Sequence, residues 1–144
     1  MRRGSTPIIV IDVLKGDAAG DAVHTDRYDG DEIHIIYVDL FNDGDMFNGC
    51  DVYVTLDQDG NQVTKATTDN DGSLWLSPIY DNDTEERIGT RIRAFLSQRD
   101  TLNLDVGRAE VQFRWIKADG TAHVSDISTV TLSRVLLEEV IVHG

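Results

Sequence analysis

The sequence predicts a mainly β protein, an antiparallel β-sandwich with one helical crossover and a short helical tail at the C-terminus. Short runs of β-branched and aromatic residues recur between clusters of aspartate and glycine, which is typical of all-β proteins. Asp-Gly pairs at 59–60 and 119–120 separate such runs by two residues, as in tight hairpins. The 144 residues predict a single domain, since one core suffices below roughly 250 residues.

The pattern divides this domain into three segments. Residues 1–31 contain an N-terminal strand, in the apolar run 8–14, followed by a polar linker. Residues 32–134 form the predicted sandwich core, and residues 135–144 form the tail. Residues 32–41 alternate with both faces largely apolar, which predicts a central strand.

The following strands are predicted from alternation and turn residues. A strand at 50–58 turns at Asp59-Gly60 into a return strand at 62–67, and a further strand ends at Pro78, so the three form a meander. The run 108–116 alternates Val111, Phe113 and Trp115 against polar residues. After Asp119-Gly120, residues 122–126 and 128–133 are predicted to pair back as strand.

Two segments show helical spacing instead. In residues 83–98 the apolar residues Ile88, Ile92 and Phe95 recur at helical intervals, and Asp83 with Glu86 fits a capping box. In the tail, apolar residues lie on one side of a predicted short helix: Leu136, Leu137, Val140 and Ile141. Two helical turns do not hold alone in water, so the tail is expected to pack on its own sandwich or on a neighbouring subunit.

Composition excludes several classes of function. The formal net charge of −13, from 26 acids and 13 bases, argues against nucleic-acid binding and against anionic membranes. No apolar run is long enough to span a membrane, and no export signal is visible, which predicts a protein of the cytoplasm. The single cysteine, Cys50, predicts neither a disulfide nor a cysteine zinc site.

No catalytic, cofactor or metal residue is predicted. The four histidines share no ligand spacing, and there is no nucleophile elbow or phosphate-binding glycine loop. Four pairs of aspartates suggest calcium ligands: Asp43/Asp45, Asp57/Asp59, Asp69/Asp71 and Asp81/Asp83. The glutamate that an EF-hand loop requires is missing, and the preference of aspartate for turns accounts for the pairs without a metal. Exposed aromatic residues could form a sugar platform, although the alternation at Trp115 favours core packing.

The one basic concentration lies at Arg87, Arg91 and Arg93. Because guanidinium groups suit carboxylates, these arginines are predicted to bridge to an acidic face of the same or another subunit. The competing interpretation is a solvated helix face.

Three stretches carry a resemblance. IHIIYVDLFNDGDMFNGCDVYVTLDQDGNQV, DNDGSLWLS and GRAEVQFRWIKADGTAHVSDISTVTLSRVLLEEV resemble, over residues 32–137, the N-terminal domain of phage upper baseplate proteins. The resemblance implies an immunoglobulin-like sandwich located in the virion, assembled in the host cytoplasm, whose partners are other virion proteins. A head fibre and a tail-fibre anchor are alternatives within the particle, and no site residue transfers from this family.

The expected function is therefore non-enzymatic assembly of a tailed phage particle, as a homo-oligomer with a trimer favoured. The predicted interface consists of tail and arginine residues: Leu136, Leu137, Val140, Ile141, Arg87 and Arg91. Two alternatives stay open, an acidic mimic of nucleic acid that inhibits a host protein and a carbohydrate-binding module.

Overall fold

The computed structural model describes residues 1–14, 27–29, 32–38 and 50–143, and this part of the chain is mainly β with two sheets. The strands are β1 (Ile8–Leu14), β2 (Arg27–Asp29), β3 (Glu32–Val38), β4 (Asp51–Gln58), β5 (Asn61–Ala66), β6 (Leu74–Tyr80), β7 (Arg87–Phe95), β8 (Gly107–Ile116), β9 (Ala122–Val124) and β10 (Ser128–Leu132). One five-residue helix, α1 (Gln98–Leu102), joins β7 to β8. The predicted mainly β class is confirmed.

The strands form two sheets of five. Sheet I has the order β2-β3-β1-β7-β6, and sheet II has the order β10-β8-β4-β5, with β9 also pairing with β8. A single cluster of buried apolar side chains draws on both sheets, which is consistent with a β-sandwich. Its fully buried members include Ile11 and Ile92 from sheet I and Leu56 and Phe113 from sheet II.

Sheet I is mixed, which corrects the prediction of an antiparallel sandwich. The N-terminal strand β1 runs parallel to β3, with Ile9 opposite Ile33, and antiparallel to β7. A parallel pair requires a crossover connection of about a dozen residues or more, and residues 15–31 supply that length. The strand assigned to the N-terminal segment 1–31 therefore lies at the centre of sheet I.

The helix predicted for residues 83–98 is wrong, because most of this segment is strand β7. Thr90, Ile92 and Ala94 are buried and alternate with less buried residues, which is the period of a strand. The close approach of β1 requires glycine at position 89, because a Cβ on Gly89 would lie 2.4 Å from the Val13 carbonyl oxygen. Helical spacing at 88, 92 and 95 was a coincidence of an apolar strand that ends in an aromatic residue.

The helix α1 begins only at Gln98, the last residue of the predicted helical segment, and it is held by a capping box. The Ser97 hydroxyl accepts the Asp100 N–H, and the Asp100 carboxylate accepts the Ser97 N–H. Lys65, on the edge strand β5, places its ammonium 2.7 Å from the same carboxylate. This helix therefore fastens the connection between the sheets to sheet II.

The predicted meander is also corrected, since the strand after β5 leaves sheet II. Strand β6 pairs with β7 in sheet I and continues through Pro78 to Tyr80. The Phe95 N–H donates to the Ser73 carbonyl, and alternation along the ladder then turns the backbone of Pro78 away from β7. Proline fits there because its missing N–H faces outward from an edge strand.

The predicted strands at the end of the chain are confirmed. Val111, Phe113 and Trp115 of β8 point inward, and β9 and β10 pair with its two halves. Between β9 and β10 the pairing register shifts by one residue, and the buried Ser125 hydroxyl accepts the Phe113 N–H at that point. This one-residue shift is a β-bulge, and it directs alternate side chains of β10 into the core.

Candidate assembly interface

The C-terminal segment, residues 135–143, follows β10 and contains no helix, which corrects the predicted helical tail. A helix of about two turns is unstable in water unless it packs on another surface. The segment instead runs irregularly past α1. Its apolar side chains are exposed to the following fractions: Leu136 85%, Leu137 53%, Val140 40%, Ile141 60% and Val142 83%.

One anchor of this segment is the side chain of Gln98, at the start of α1. Its amide nitrogen donates to the Ile141 carbonyl at 3.0 Å, and its amide oxygen accepts the Ile141 N–H at 2.8 Å. A primary amide thus pairs with the peptide group as a neighbouring strand would. This pairing fixes the backbone of residue 141 while its side chain stays in solvent.

The second anchor is Arg3, in the segment before β1. Its guanidinium donates at 2.9 Å to the carbonyl of Leu102, the last residue of α1, and at 2.5 Å to the Leu104 carbonyl just beyond the helix. The same group forms an ion pair with Glu138. Because the Arg3 side chain is only 11% exposed, the pair holds the C-terminal segment to a partly buried cation.

Gln98 holds the backbone of Ile141 and Arg3 holds the charge of Glu138, so neither anchor covers the apolar side chains. Leu136 and Leu137 precede Glu138, and Val140 to Val142 follow it, so apolar groups flank the anchored positions. Monomeric proteins seldom expose contiguous apolar surface of this kind, and when they do it often marks a binding site. The tail residues of the predicted interface are therefore available for contact.

The two arginines of the predicted interface lie on β7 and already have partners in the same chain. Arg91 forms a bidentate pair with Asp12 of β1, at 2.7 and 3.0 Å. The hydrogen bonds that Arg91 donates to Asp12 raise the pKa of Arg91 above its ordinary value. Arg87 donates to the Thr90 hydroxyl at 2.8 Å and to the Gly89 carbonyl.

The structure does not bring these arginines together with the tail. Arg87 lies at the opposite end of β7 from Phe95, a distance of about 26 Å along an eight-residue strand interval. The tail anchor Gln98 lies just beyond Phe95. The predicted interface residues thus form two separate surfaces, and the bridging predicted for the arginines is made by Arg91 within the chain.

Turn geometry accounts for several aspartates that suggested calcium. The carboxylates of Asp71 and Asp81 accept backbone N–H groups two residues later, at 2.9 and 2.8 Å. Asp119, which is not one of those pairs, does the same in the turn before β9, at 2.9 Å. The bonds from Thr121 lower the pKa of Asp119. Asp59 lies in the left-handed region at φ 52° in the hairpin turn, and the pair Asp43/Asp45 lies outside the described residues.

Within the described ranges, no group of three or more acidic, histidine or cysteine side chains could hold a metal ion. His34 contacts Glu32 at 2.9 Å, and His123 packs against Trp115 with 4.8 Å between ring centres. His24 lies outside these ranges. None of the helices described here is long and apolar enough to cross a membrane.

The aromatic residues are dispersed rather than gathered into one platform. Trp115 is 2% exposed and stacks on Phe113, which confirms its predicted place in the core. Trp75 and Tyr80 are exposed on the edge strand of sheet I, and Tyr53 lies on sheet II. Trp115, Tyr53 and the pair Trp75 and Tyr80 therefore do not share one sugar-binding surface, and the side chain of Tyr37 lies outside the described part of the chain.

Arg3 and Gln98 were missed by reasoning from the sequence. Neither belongs to a recognisable motif, and their partners lie 135 and 43 residues away in the chain. Only the fold, which brings both chain ends to α1, reveals the contacts.

No family model matches this chain, and neither the curated proteins nor the solved structures contain a match.

Proposed function

We propose that this protein is a non-enzymatic assembly module that self-associates through residues 135–143. The observation that carries the proposal is the exposure of five large apolar side chains between residues 136 and 142. Burial of such side chains contributes about 25 cal/mol per Å² of apolar area removed from water. A segment whose backbone is already anchored by Gln98 and Arg3 loses little additional conformational freedom on binding.

We further propose, on the resemblance over residues 32–137, that this module is an immunoglobulin-like domain in the virion of a tailed phage and that it docks onto other virion proteins. A homo-oligomer, with a trimer favoured, is the proposed assembled form. The net charge of −13 makes identical chains repel each other, so the apolar contact between the C-terminal segments has to outweigh that repulsion, and self-association should strengthen with added salt. The two-sheet body supplies a rigid support for that segment.

Light scattering coupled to size-exclusion chromatography tests self-association. We expect the wild-type protein to elute as an oligomer and a Leu136→Asp/Ile141→Asp double variant to elute as a monomer, with an unchanged melting temperature because both side chains are exposed. Val124→Asp is the matched control, since Val124 is an aliphatic residue of similar exposure on β9. A wild-type monomer at every concentration would contradict the proposal.

Mass spectrometry of purified phage particles tests the location. Peptides of this chain are expected at a constant ratio to the other structural proteins after gradient purification. Recovery of the chain only in the soluble lysate would exclude a virion component and favour a host-directed inhibitor.

A further inference from the structure

We propose that the outer face of sheet II carries a groove that binds a short, uncharged oligosaccharide. Two adjacent depressions lie on this face, with volumes of about 330 and 270 Å³. Both are lined by Thr55, Gln62 and Gln112, so they are continuous. This site is separate from the C-terminal segment and does not depend on self-association.

Strand alternation turns polar side chains into the groove. Val54 and Leu56 of β4 are fully buried, so Tyr53, Thr55 and Asp57 point to the opposite face. The same alternation on β5 and β8 presents a further set outward: Gln62, Thr64, Glu110, Gln112 and Arg114. The floor of the groove is therefore rigid sheet, which is a good support for a binding site.

The groove has chemically different ends. At one end, the Arg114 guanidinium lies over the Tyr53 ring, 5.9 Å from its centre. At the other end, Asp57 and Glu110 lie directly opposite each other on neighbouring strands. From Tyr53 to Asp57 is about 13 Å along the strand, and the hydrogen-bonded hydroxyls of Thr55 and Thr64 lie between.

The facing acids destabilise the sheet locally. Like charges directly opposite each other on paired strands are unfavourable. Among the described residues, neither Asp57 nor Glu110 forms a salt bridge. Departures from local sequence rules of this kind are expected at functional sites, where the two carboxylates act as strong acceptors.

Sugar hydroxyls fit this arrangement because each one both donates and accepts. They can donate to Asp57 and Glu110, pair with the Gln62 amide, and accept from Arg114 beside the Tyr53 ring. A nucleic acid is disfavoured by the facing carboxylates and the net charge of −13. A peptide strand would add to a sheet edge rather than lie on a sheet face.

The test begins with a glycan array probed with the intact protein. The strongest linear hit, together with cellotriose, maltotriose and chitotriose, is then titrated into ¹⁵N-labelled protein. We expect at least one of them to bind and to shift the amide signals of Thr55, Gln62 and Thr64. A blank array with three silent titrations, or shifts confined to Trp75 and Tyr80, would overturn the proposal.

Variants locate the site. Asp57→Asn and Gln62→Ala are each expected to weaken binding about tenfold, and Trp75→Ala on sheet I is the control that leaves it unchanged. Unchanged binding in both groove variants contradicts the proposal, as does displacement of the sugar by a peptide of residues 135–144, which would identify the groove as a tail receptor. The Leu136→Asp/Ile141→Asp variant should bind the sugar as the wild type does, so failure of self-association and failure of the groove are distinguishable.

Discussion

The two ends of the described chain both lie against α1, but they are held there by different contacts. Residues 1–7 are tied in by backbone hydrogen bonds: Ser133 N–H donates to Met1, Arg3 N–H to Ser133, and Leu96 N–H to Pro7. The Thr101 hydroxyl further accepts the Gly4 N–H and donates to the Ser5 carbonyl. The C-terminal segment, in contrast, is held mainly by the side chains of Arg3 and Gln98.

Because of this difference, the N-terminal segment contributes to the stability of the fold, whereas the C-terminal segment contributes an exposed apolar surface. The N-terminal segment fills the gap beside α1 and contributes to the packed body, with Pro7 buried. The C-terminal segment leaves its apolar side chains in solvent, and it gains little from its own chain. Changes at the first segment should therefore affect global unfolding, while changes at the second should affect local opening and association.

The largest effect is expected from Arg3→Ala. Its loss leaves the Leu102 and Leu104 carbonyls without their charged donor and releases Glu138, which should cost about 2 kcal/mol of unfolding free energy. Urea denaturation followed by circular dichroism measures this, and the melting temperature should fall by about 6 °C. Arg2→Ala is the matched control, because the exposed Arg2 side chain donates to a single exposed carbonyl, that of Arg134, and should change stability by less than about 0.5 kcal/mol. Equal effects of the two variants would contradict the distinction between the chain ends.

A smaller and pH-dependent effect is expected from Asp100→Asn, which weakens the helix that supports both ends. Burial opposes ionisation of Asp100, but hydrogen bonds from Lys65 and Ser97 outweigh it, so the pKa of this carboxyl is lowered. The ion pair with Lys65 should contribute about 1 kcal/mol at neutral pH.

The direction with pH follows from that lowered pKa. An unfolded chain binds the proton more readily, so the stabilisation is fully present above the ordinary value of 3.8 and is lost as pH falls through the lower folded pKa. Urea midpoints of wild type and Asp100→Asn should therefore differ at pH 7 and converge below about pH 4. A difference that stays constant with pH would exclude the Lys65–Asp100 pair as its source.

The sequence could predict those elements whose pattern is unambiguous. Val111, Phe113 and Trp115 alternate without interruption, and Asp59-Gly60 dictates its own turn, so β8 and the β4–β5 hairpin were predicted correctly. Strand β7 was not, because Ile88, Ile92 and Phe95 fit a helical period while the alternation of Thr90, Ile92 and Ala94 includes a threonine and an alanine, which are weak apolar signals. Pairing of β6 with the other sheet also depends on long-range contacts that no local pattern encodes.

The candidate surfaces were predictable to different degrees. The sequence predicts the apolar tail, since residues 136–142 contain only two charged residues, Glu138 and Glu139. Its irregular backbone and its anchors were not, because they depend on where Arg3 and Gln98 lie in the fold. The groove on sheet II was hidden for a similar reason: Asp57 and Glu110 are 53 positions apart in sequence and meet only through the β4–β8 register.

The smallest global effect, and the most specific local one, is expected from Gln98→Ala. Its amide makes two hydrogen bonds to the Ile141 peptide group at the surface, so its loss should change the unfolding free energy by less than about 0.5 kcal/mol. Hydrogen exchange of the Ile141 N–H should nevertheless accelerate about fivefold, as expected for the loss of about 1 kcal/mol of local hydrogen bonding. Gln98→Glu should retain an acceptor for that N–H and accelerate exchange less, whereas Arg99→Ala on the exposed side of the same helix should leave it unchanged. Unaltered exchange in Gln98→Ala would mean that other contacts hold the C-terminal segment. A large loss of global stability would instead mean that this segment is part of the folded body, because a segment held mainly by side chains should open locally without unfolding the rest of the chain.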